Sequence, residues 1–121
     1  MRRSPDLAPP AADADGREPL EALLAAVASG DRTAYGRLYD RTSAKLFGVV
    51  LRIVKDRGVA EDALQEVYLS VWRNASAYAA EKPRPMTWLI TIARNGAIDV
   101  VRTRREIALG PEFSWIARLW R

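Results

Sequence analysis

The sequence predicts an all-α fold, a compact bundle of one short and three longer helices. Apolar residues recur at three- and four-residue steps along four successive stretches, which is the pattern of helices with one buried face. The β-branched residues fall on these helical positions rather than on the alternating positions of a strand. We expect residues 20–106 to form the bundle, after a disordered leader over residues 1–19 in which prolines break any helix.

The first two predicted helices are separated by a glycine and a capping residue. The short helix begins at Leu20 and ends at Gly30, a residue type that commonly follows a helix. Asp31 or Thr33 then caps the second helix, because either side chain can accept from a free amide of the first turn. Residues 55–58 are expected to close it. Its apolar positions are Tyr35, Leu38, Tyr39, Leu46, Val49, Val50, Ile53 and Val54.

The third helix is predicted over about residues 60–78. Glu61 and Asp62 would lie in its first turn, where the helix dipole favours negative charge. Its apolar stripe consists of Ala60, Leu64, Val67, Val71, Trp72 and Tyr78, flanked by Ala63 and Ala75.

A loop over residues 79–85 leads to the fourth helix, which is predicted over about residues 86–105. Pro85 is well placed to open this helix, because the first helical position needs no amide hydrogen. The residues expected to face the core are Leu89, Ile92, Ala93, Gly96 and Val100.

The composition argues against catalysis. The chain has no cysteine and no histidine, which excludes disulfides, thiolate zinc sites, cysteine nucleophiles and histidine acid–base pairs. Glu61 and Asp62 are adjacent, but the helical pattern brings no further carboxylate to them to hold a metal. We therefore expect no enzymatic activity, no metal and no cofactor. No apolar run is long enough to span a membrane, so a membrane partner is not expected.

The polar face of the fourth helix is typical of a surface for single-stranded nucleic acid. It combines an aromatic side chain for base stacking, small polar groups for base edges and several arginines for phosphates. Its members are Trp88, Thr91, Asn95, Asp99 and Arg102, with Lys82, Arg84, Arg94, Arg104 and Arg105 around them. Residues 1–31 hold three basic and six acidic residues, whereas the rest of the chain holds sixteen and nine, so the predicted bundle is basic. The alternative is an ordinary solvated face with Trp88 in the core.

The third helix carries a different polar surface. Asp62, Gln65 and Glu66 stand three and four residues apart and so form one acidic and amide patch. On a basic protein such a patch is a candidate for docking another protein, and the alternative is again a solvated face.

Two stretches carry a resemblance to a known family. AEDALQEVYLSVWRNASAY at residues 60–78 and TWLITIARNGAIDVVRTRRE at residues 87–106 resemble region 2 of the extracytoplasmic-function (ECF) group of bacterial sigma factors. Residues 23–62 are similar to the leading helices of the same group. The matching landmarks are Gly30, Asp31, Tyr35, Leu38, Tyr39, Ala60, Glu61, Asp62, Gln65, Glu66, Trp72, Trp88, Leu89, Ile92, Ala93, Arg94, Asn95 and Asp99. Their joint order and spacing carry the resemblance, since no single landmark is specific.

The resemblance implies a role for each polar surface. The family's third helix docks on the clamp helices of the largest core RNA polymerase subunit, which assigns polymerase binding to Asp62, Gln65 and Glu66. The following loop and helix open the −10 promoter element and capture its non-template strand, with the loop holding a flipped base. On the DNA-facing helix the resemblance places Trp88, Arg94, Asn95, Asp99 and Arg102, to which the charge pattern adds Arg84, Arg104 and Arg105. Trp88 could instead pack against the loop.

The resemblance also implies partners and a location. We expect core RNA polymerase, promoter DNA and an anti-sigma factor as partners, in the cytoplasm. The alternative is a protein-interaction module that binds polymerase or an anti-sigma factor without promoter-specific initiation. Only 15 residues follow Glu106, so the family's second domain, which reads the −35 element, is expected to be absent from this chain.

Residues 107–121 do not resemble the family's usual linker. Pro111 could open a short C-terminal helix over residues 111–121. Its large apolar side chains would then pack against the domain, a second copy or a partner. They are Phe113, Trp115, Ile116, Leu119 and Trp120. The alternative is an unstructured linker or a cloning remnant.

Overall fold

A computed structural model describes residues 18–81 and 84–110 of the 121-residue chain. The described part contains no strand. Its four helices are α1 (Leu20–Ala28), α2 (Arg32–Val54), α3 (Arg57–Glu81) and α4 (Pro85–Leu109). One short and three longer helices therefore form an all-α bundle, which confirms the predicted fold class. Residues 1–17 of the leader expected over residues 1–19, and the helix expected over residues 111–121, lie outside the described residues.

The boundary between α1 and α2 follows the predicted chemistry. Gly30 has a φ of 90°, a left-handed conformation that glycine adopts without steric cost, and its amide donates to the Val27 carbonyl at 2.9 Å. The choice left open between two capping residues falls on Asp31, whose carboxylate accepts from the Ala34 amide at 3.1 Å.

The boundary between α2 and α3 differs from the prediction. Lys55 ends α2 by itself, in a left-handed conformation with φ of 59°, and Asp56 caps the next helix by accepting from the Val59 amide at 2.9 Å. Arg57 and Gly58 therefore open α3 instead of closing α2. Residues 57 and 58 were expected to close α2, but the Asp56 cap offsets the helix cost of Gly58, about 1 kcal/mol.

The earlier start moves the predicted acidic pair. Glu61 and Asp62 lie in the second turn of α3, so their interpretation as first-turn residues is wrong. α3 also continues to Glu81, through residues predicted as loop, and α4 continues to Leu109. Pro85 is the first residue of α4, as predicted.

The core is formed by one side of each helix. The buried apolar residues are Leu23, Leu24, Val27, Ala34, Leu38, Leu46, Val50, Ala60, Ala63, Leu64, Val67, Tyr68, Val71, Ala75, Tyr78, Leu89, Ala93 and Ala97. Most were predicted to be apolar helix positions. Tyr39 was predicted as an apolar position of α2, but its side chain is 44% exposed. Thr42 and Tyr68 are buried, although the apolar pattern did not select them.

Two buried hydroxyl groups join α2 to α3. The Thr42 hydroxyl donates to the Leu38 carbonyl at 2.7 Å, so the Tyr68 hydroxyl, 2.5 Å away, must donate to Thr42. Burial raises the pKa of Tyr68 to about 12. Nearby, the Tyr35 hydroxyl donates to the Tyr68 carbonyl at 2.6 Å, and the Tyr35 and Trp72 rings meet edge to face with centroids 5.0 Å apart. These contacts fix the register of α2 against α3.

A close approach fixes α4 against α3. A Cβ atom at Gly96 would lie 3.1 Å from the Val67 Cγ2 atom, so the absence of a side chain at Gly96 allows the two helices to meet there. At the other end of the described chain, the Glu18 carboxylate pairs with Arg37 of α2 at 3.3 Å, and Arg41 donates to the Glu18 carbonyl. None of the described helices is long and apolar enough to cross a membrane.

Candidate functional site

The outer face of α3 presents the predicted docking residues together. Asp62, Gln65 and Glu66 are all exposed, and none of them forms an ion pair with another described residue. Leu69 stands on the same face, four residues after Gln65 and three after Glu66, with 47% of its surface exposed. The three polar residues therefore border an apolar side chain that the sequence analysis did not select. The sequence did carry a signal for Leu69, because its spacing of four residues from Gln65 and three from Glu66 places it on the same face of a helix.

A shallow groove runs along the seam between α2 and α3, beside this face. One hollow is lined by Tyr35, Gly36, Tyr39, Asp40, Gln65, Tyr68 and Leu69. Tyr39 and Gln65 also line the adjoining hollow, which continues to Phe47 and Glu61. Arg57 closes that end, with its guanidinium 5.2 Å from the centre of the Phe47 ring and 3.9 Å from the Glu61 carboxylate. Exposed apolar and aromatic atoms beside acidic and amide groups make this seam suitable for a protein partner.

The predicted DNA-binding residues do not all share one surface. Arg84, Arg94, Asn95 and Arg105 are exposed on α4 or at its N-terminus. Arg102 is also on the outer face, but its guanidinium pairs with the Asp99 carboxylate at 3.1 Å. This pair cancels one positive and one negative charge on the outer face.

Trp88 is neither fully exposed on the DNA-facing side of α4 nor fully buried in the core. Its ring packs on the buried Tyr78 ring, with centroids 5.4 Å apart, and it is partly buried at the edge of the core. Its exposure is therefore intermediate between the DNA-facing and the core positions that the sequence left open, because Tyr78 near the end of α3 covers part of the ring.

Arg104 and Asn95 leave α4 on opposite sides, yet both border the same groove. Arg104 follows Asn95 by nine residues, which at about 100° per residue puts the two on opposite sides of α4. Both side chains line a groove between α3 and α4, of about 510 Å³, which we call the α3–α4 groove. The groove is lined by Glu66, Val67, Ser70, Arg73, Ile92, Asn95, Gly96, Asp99, Val100, Thr103 and Arg104.

The α3–α4 groove connects the two surfaces that the sequence predicted separately. Glu66, a predicted polymerase contact, and Asn95, a predicted DNA contact, are on opposite walls of the same groove. The described residues contain no group of three or more carboxylates that could hold a metal ion. The arrangement is suited to binding macromolecules along exposed helix faces.

The comparison with known proteins identifies the bundle. Residues 38–107 match the family described as Sigma-70 region 2. The chain belongs to this family. Region 2 thus covers most of α2, all of α3 and nearly all of α4, and the predicted resemblance is confirmed.

Curated relatives of this region 2 chain are ECF RNA polymerase sigma factors named SigK. The protein of Mycobacterium ulcerans is 44% identical over 86 residues, which are 71% of this chain and 46% of the relative. The protein of Mycobacterium bovis (strain BCG) is 41% identical over 96 residues, 75% of this chain and 51% of the relative. That of a further Mycobacterium species is 43% identical over 84 residues, 69% of this chain and 44% of the relative. The chain spans about half the length of the curated relatives that it matches.

Proposed function

We propose that this chain acts in transcription initiation in the cytoplasm, by binding core RNA polymerase and promoter DNA through two neighbouring surfaces. The outer face of α3 docks on the clamp of the largest polymerase subunit. The outer face of α4 binds the non-template strand of the −10 element and so favours the melted promoter. The polymerase carries out the chemistry, and the chain acts by binding alone. The observation that carries this proposal is the presence of two exposed polar faces of different chemistry on adjacent helices of a sigma-70 region 2 fold.

The α3 face has the composition of a protein interface. An exposed apolar centre at Leu69 and Tyr39 is bordered by the acidic and amide groups of Asp62, Gln65 and Glu66. Burial of the apolar centre supplies binding energy, and the surrounding charges select a basic partner and orient it. The same face would be covered by an anti-sigma factor, which would then compete with polymerase.

Charge reversal tests the docking face. Glu66→Lys is expected to abolish co-purification of the chain with core polymerase from a mycobacterium, because it places a cation where the partner must be basic. Glu21→Lys on α1 is the matched control, because Glu21 is also exposed but lies outside α3. Circular dichroism checks that both variants stay folded. Wild-type co-purification by Glu66→Lys would exclude α3 as the docking surface.

The α4 face has the composition of a surface for single-stranded DNA. Arg84, Arg94 and Arg105 can neutralise phosphates, and the Asn95 amide can donate to and accept from a base edge. A strand with its bases turned out of the stack presents those edges to the helix, and its capture disfavours re-pairing. Because phosphate contacts release counterions, binding is expected to weaken steeply as salt is raised.

Sequence discrimination tests the α4 face. A preferred motif is first selected with the polymerase-bound chain from a library of randomised single-stranded oligonucleotides. Asn95→Ala is then expected to reduce the preference for that motif over a scrambled strand, whereas the control Asn74→Ala on α3, whose amide bonds only within its own helix to Ser70, leaves it unchanged. Equal losses on both strands would remove Asn95 from base recognition. Docking without any DNA binding would leave the chain as a protein-interaction module.

A further inference from the structure

The α3–α4 groove contains an arginine that neither the sequence analysis nor the α4 surface accounts for. Arg73 projects from α3, is exposed, and lines the groove together with Asn95 of α4. Among the described residues it forms no ion pair, whereas Asp99 on the opposite wall is already paired with Arg102. Arg73 thus leaves a positive charge on the α3 wall.

Arg73 and Asn95 lie at the same end of the groove. Because three residues join α3 to α4, the two helices run antiparallel, and Gly96 meets Val67 across the groove. Residues after Val67 on α3 therefore face residues before Gly96 on α4. The Arg73 side chain leans toward the N-terminus of α3, as helical side chains do, and so toward the level of Asn95. Glu66 precedes Val67 and lies toward the other end.

The Asn95 end of the groove combines three features that suit one nucleotide unit. Its floor is apolar, formed by Val67, Ile92 and Gly96, and can pack against a base or sugar. The amide of Asn95 stands at the rim on one side. The guanidinium of Arg73 stands on the other, and it matches a phosphate with two parallel donors.

We propose that Arg73 of α3 contacts a backbone phosphate of the strand that Asn95 reads, so that the DNA crosses the α3–α4 groove instead of lying on α4 alone. This inference rests on the proposed function of α4. Phosphate contacts fix the position of a strand without reading its sequence. Arg73 therefore sets the register in which the bases reach Asn95.

The test is the salt dependence of oligonucleotide binding by the full chain, measured by fluorescence anisotropy. Arg73→Gln is expected to weaken the selected and the scrambled strand by the same factor, about fivefold at low salt, and to reduce the salt slope by about 0.7 for the one phosphate lost. Arg73→Lys keeps the charge and is expected to restore most of the slope. Arg52→Gln is the matched control, because Arg52 is exposed in the last turn of α2, beside the start of α3. That position is about 24 Å along α3 from Arg73.

Each other outcome overturns the inference in a recognisable way. Unchanged DNA binding with lost co-purification would make the groove a polymerase surface. A loss confined to the selected strand would make Arg73 a base-reading residue and exclude a phosphate contact. If Arg73→Gln has no effect while Asn95→Ala reduces the sequence preference, the Arg73 contact is refuted and the proposed function stands. No effect of either variant would refute the DNA function itself.

Discussion

The buried hydroxyl pair between α2 and α3 is expected to contribute a measurable part of the free energy of unfolding. Thr42→Val removes the acceptor of the Tyr68 hydroxyl without changing the shape of the side chain. Tyr68 is only 3% exposed, so its hydroxyl is left without a partner or a route to water. An unpaired buried hydroxyl costs about 1–3 kcal/mol. Tyr68→Phe leaves Thr42 bonded to the Leu38 carbonyl and is expected to cost less, about 0.5–1.5 kcal/mol.

The double variant separates the hydroxyl pair from the packing around it. Thr42→Val with Tyr68→Phe leaves neither hydroxyl unpaired, so it is expected to cost no more than about 1 kcal/mol. The cost of the double variant is then at least about 0.5 kcal/mol below the sum of the single costs. Urea unfolding followed by circular dichroism measures the three free energies of unfolding. Single costs that add to the double cost within about 0.3 kcal/mol would show that the two hydroxyls do not interact.

The remaining predictions concern alkaline pH and the two residues between α2 and α3. The pKa of Tyr68 is about 12 in the folded chain, against 10.0 for the free group, so only the unfolded chain ionises between these values. The contribution of Tyr68 to the free energy of unfolding is therefore fully present below pH 10, and it falls by about 2–3 kcal/mol as the pH rises to about 12. Tyr68→Phe is expected to remove that fall in urea titrations measured across this pH range. Lys55 has a left-handed backbone conformation, which glycine adopts at lower cost, so Lys55→Gly is expected to stabilise the chain by about 0.5–1 kcal/mol. The urea midpoint would then rise, whereas a lower midpoint would show that Lys55 is unstrained. Asp56→Ala removes the α3 cap and is expected to cost about 1 kcal/mol in the same assay, whereas no loss would place the start of α3 after Val59, as the sequence suggested.

The fold was predictable because its signals are local. Helical periodicity and the residues Gly30, Asp31 and Pro85 specify the ends of most elements through the backbone groups next to them. The start of α3 was missed because the evidence for it is the Asp56 cap, which competes with the helix-breaking tendency of Gly58 in the same four residues. Thr42 was missed for a different reason, since its burial depends on Tyr68, which is distant in sequence.

The candidate site was predictable only one helix at a time. The patch on α3 and the arginines on α4 follow from spacing along each helix, and the structure keeps both exposed. The α3–α4 groove depends on how the two helices pack, which is set by the close approach of Gly96 to Val67. For the same reason the sequence could not show that Arg104 reaches this groove, that Tyr78 covers part of Trp88, or that Arg73 and Asn95 line one groove.

In the proposed function, one region 2 domain binds polymerase with α3 and DNA with α4. The most direct measurement is the binding of a labelled, selected −10 strand by the chain together with core polymerase, compared among wild type, Glu66→Lys and Asn95→Ala. We expect Glu66→Lys to lose the three-component complex because it no longer retains polymerase. We expect Asn95→Ala to retain polymerase but to bind selected and scrambled strands alike. Wild-type complexes from both variants would contradict the assignment of these two functions to these two faces.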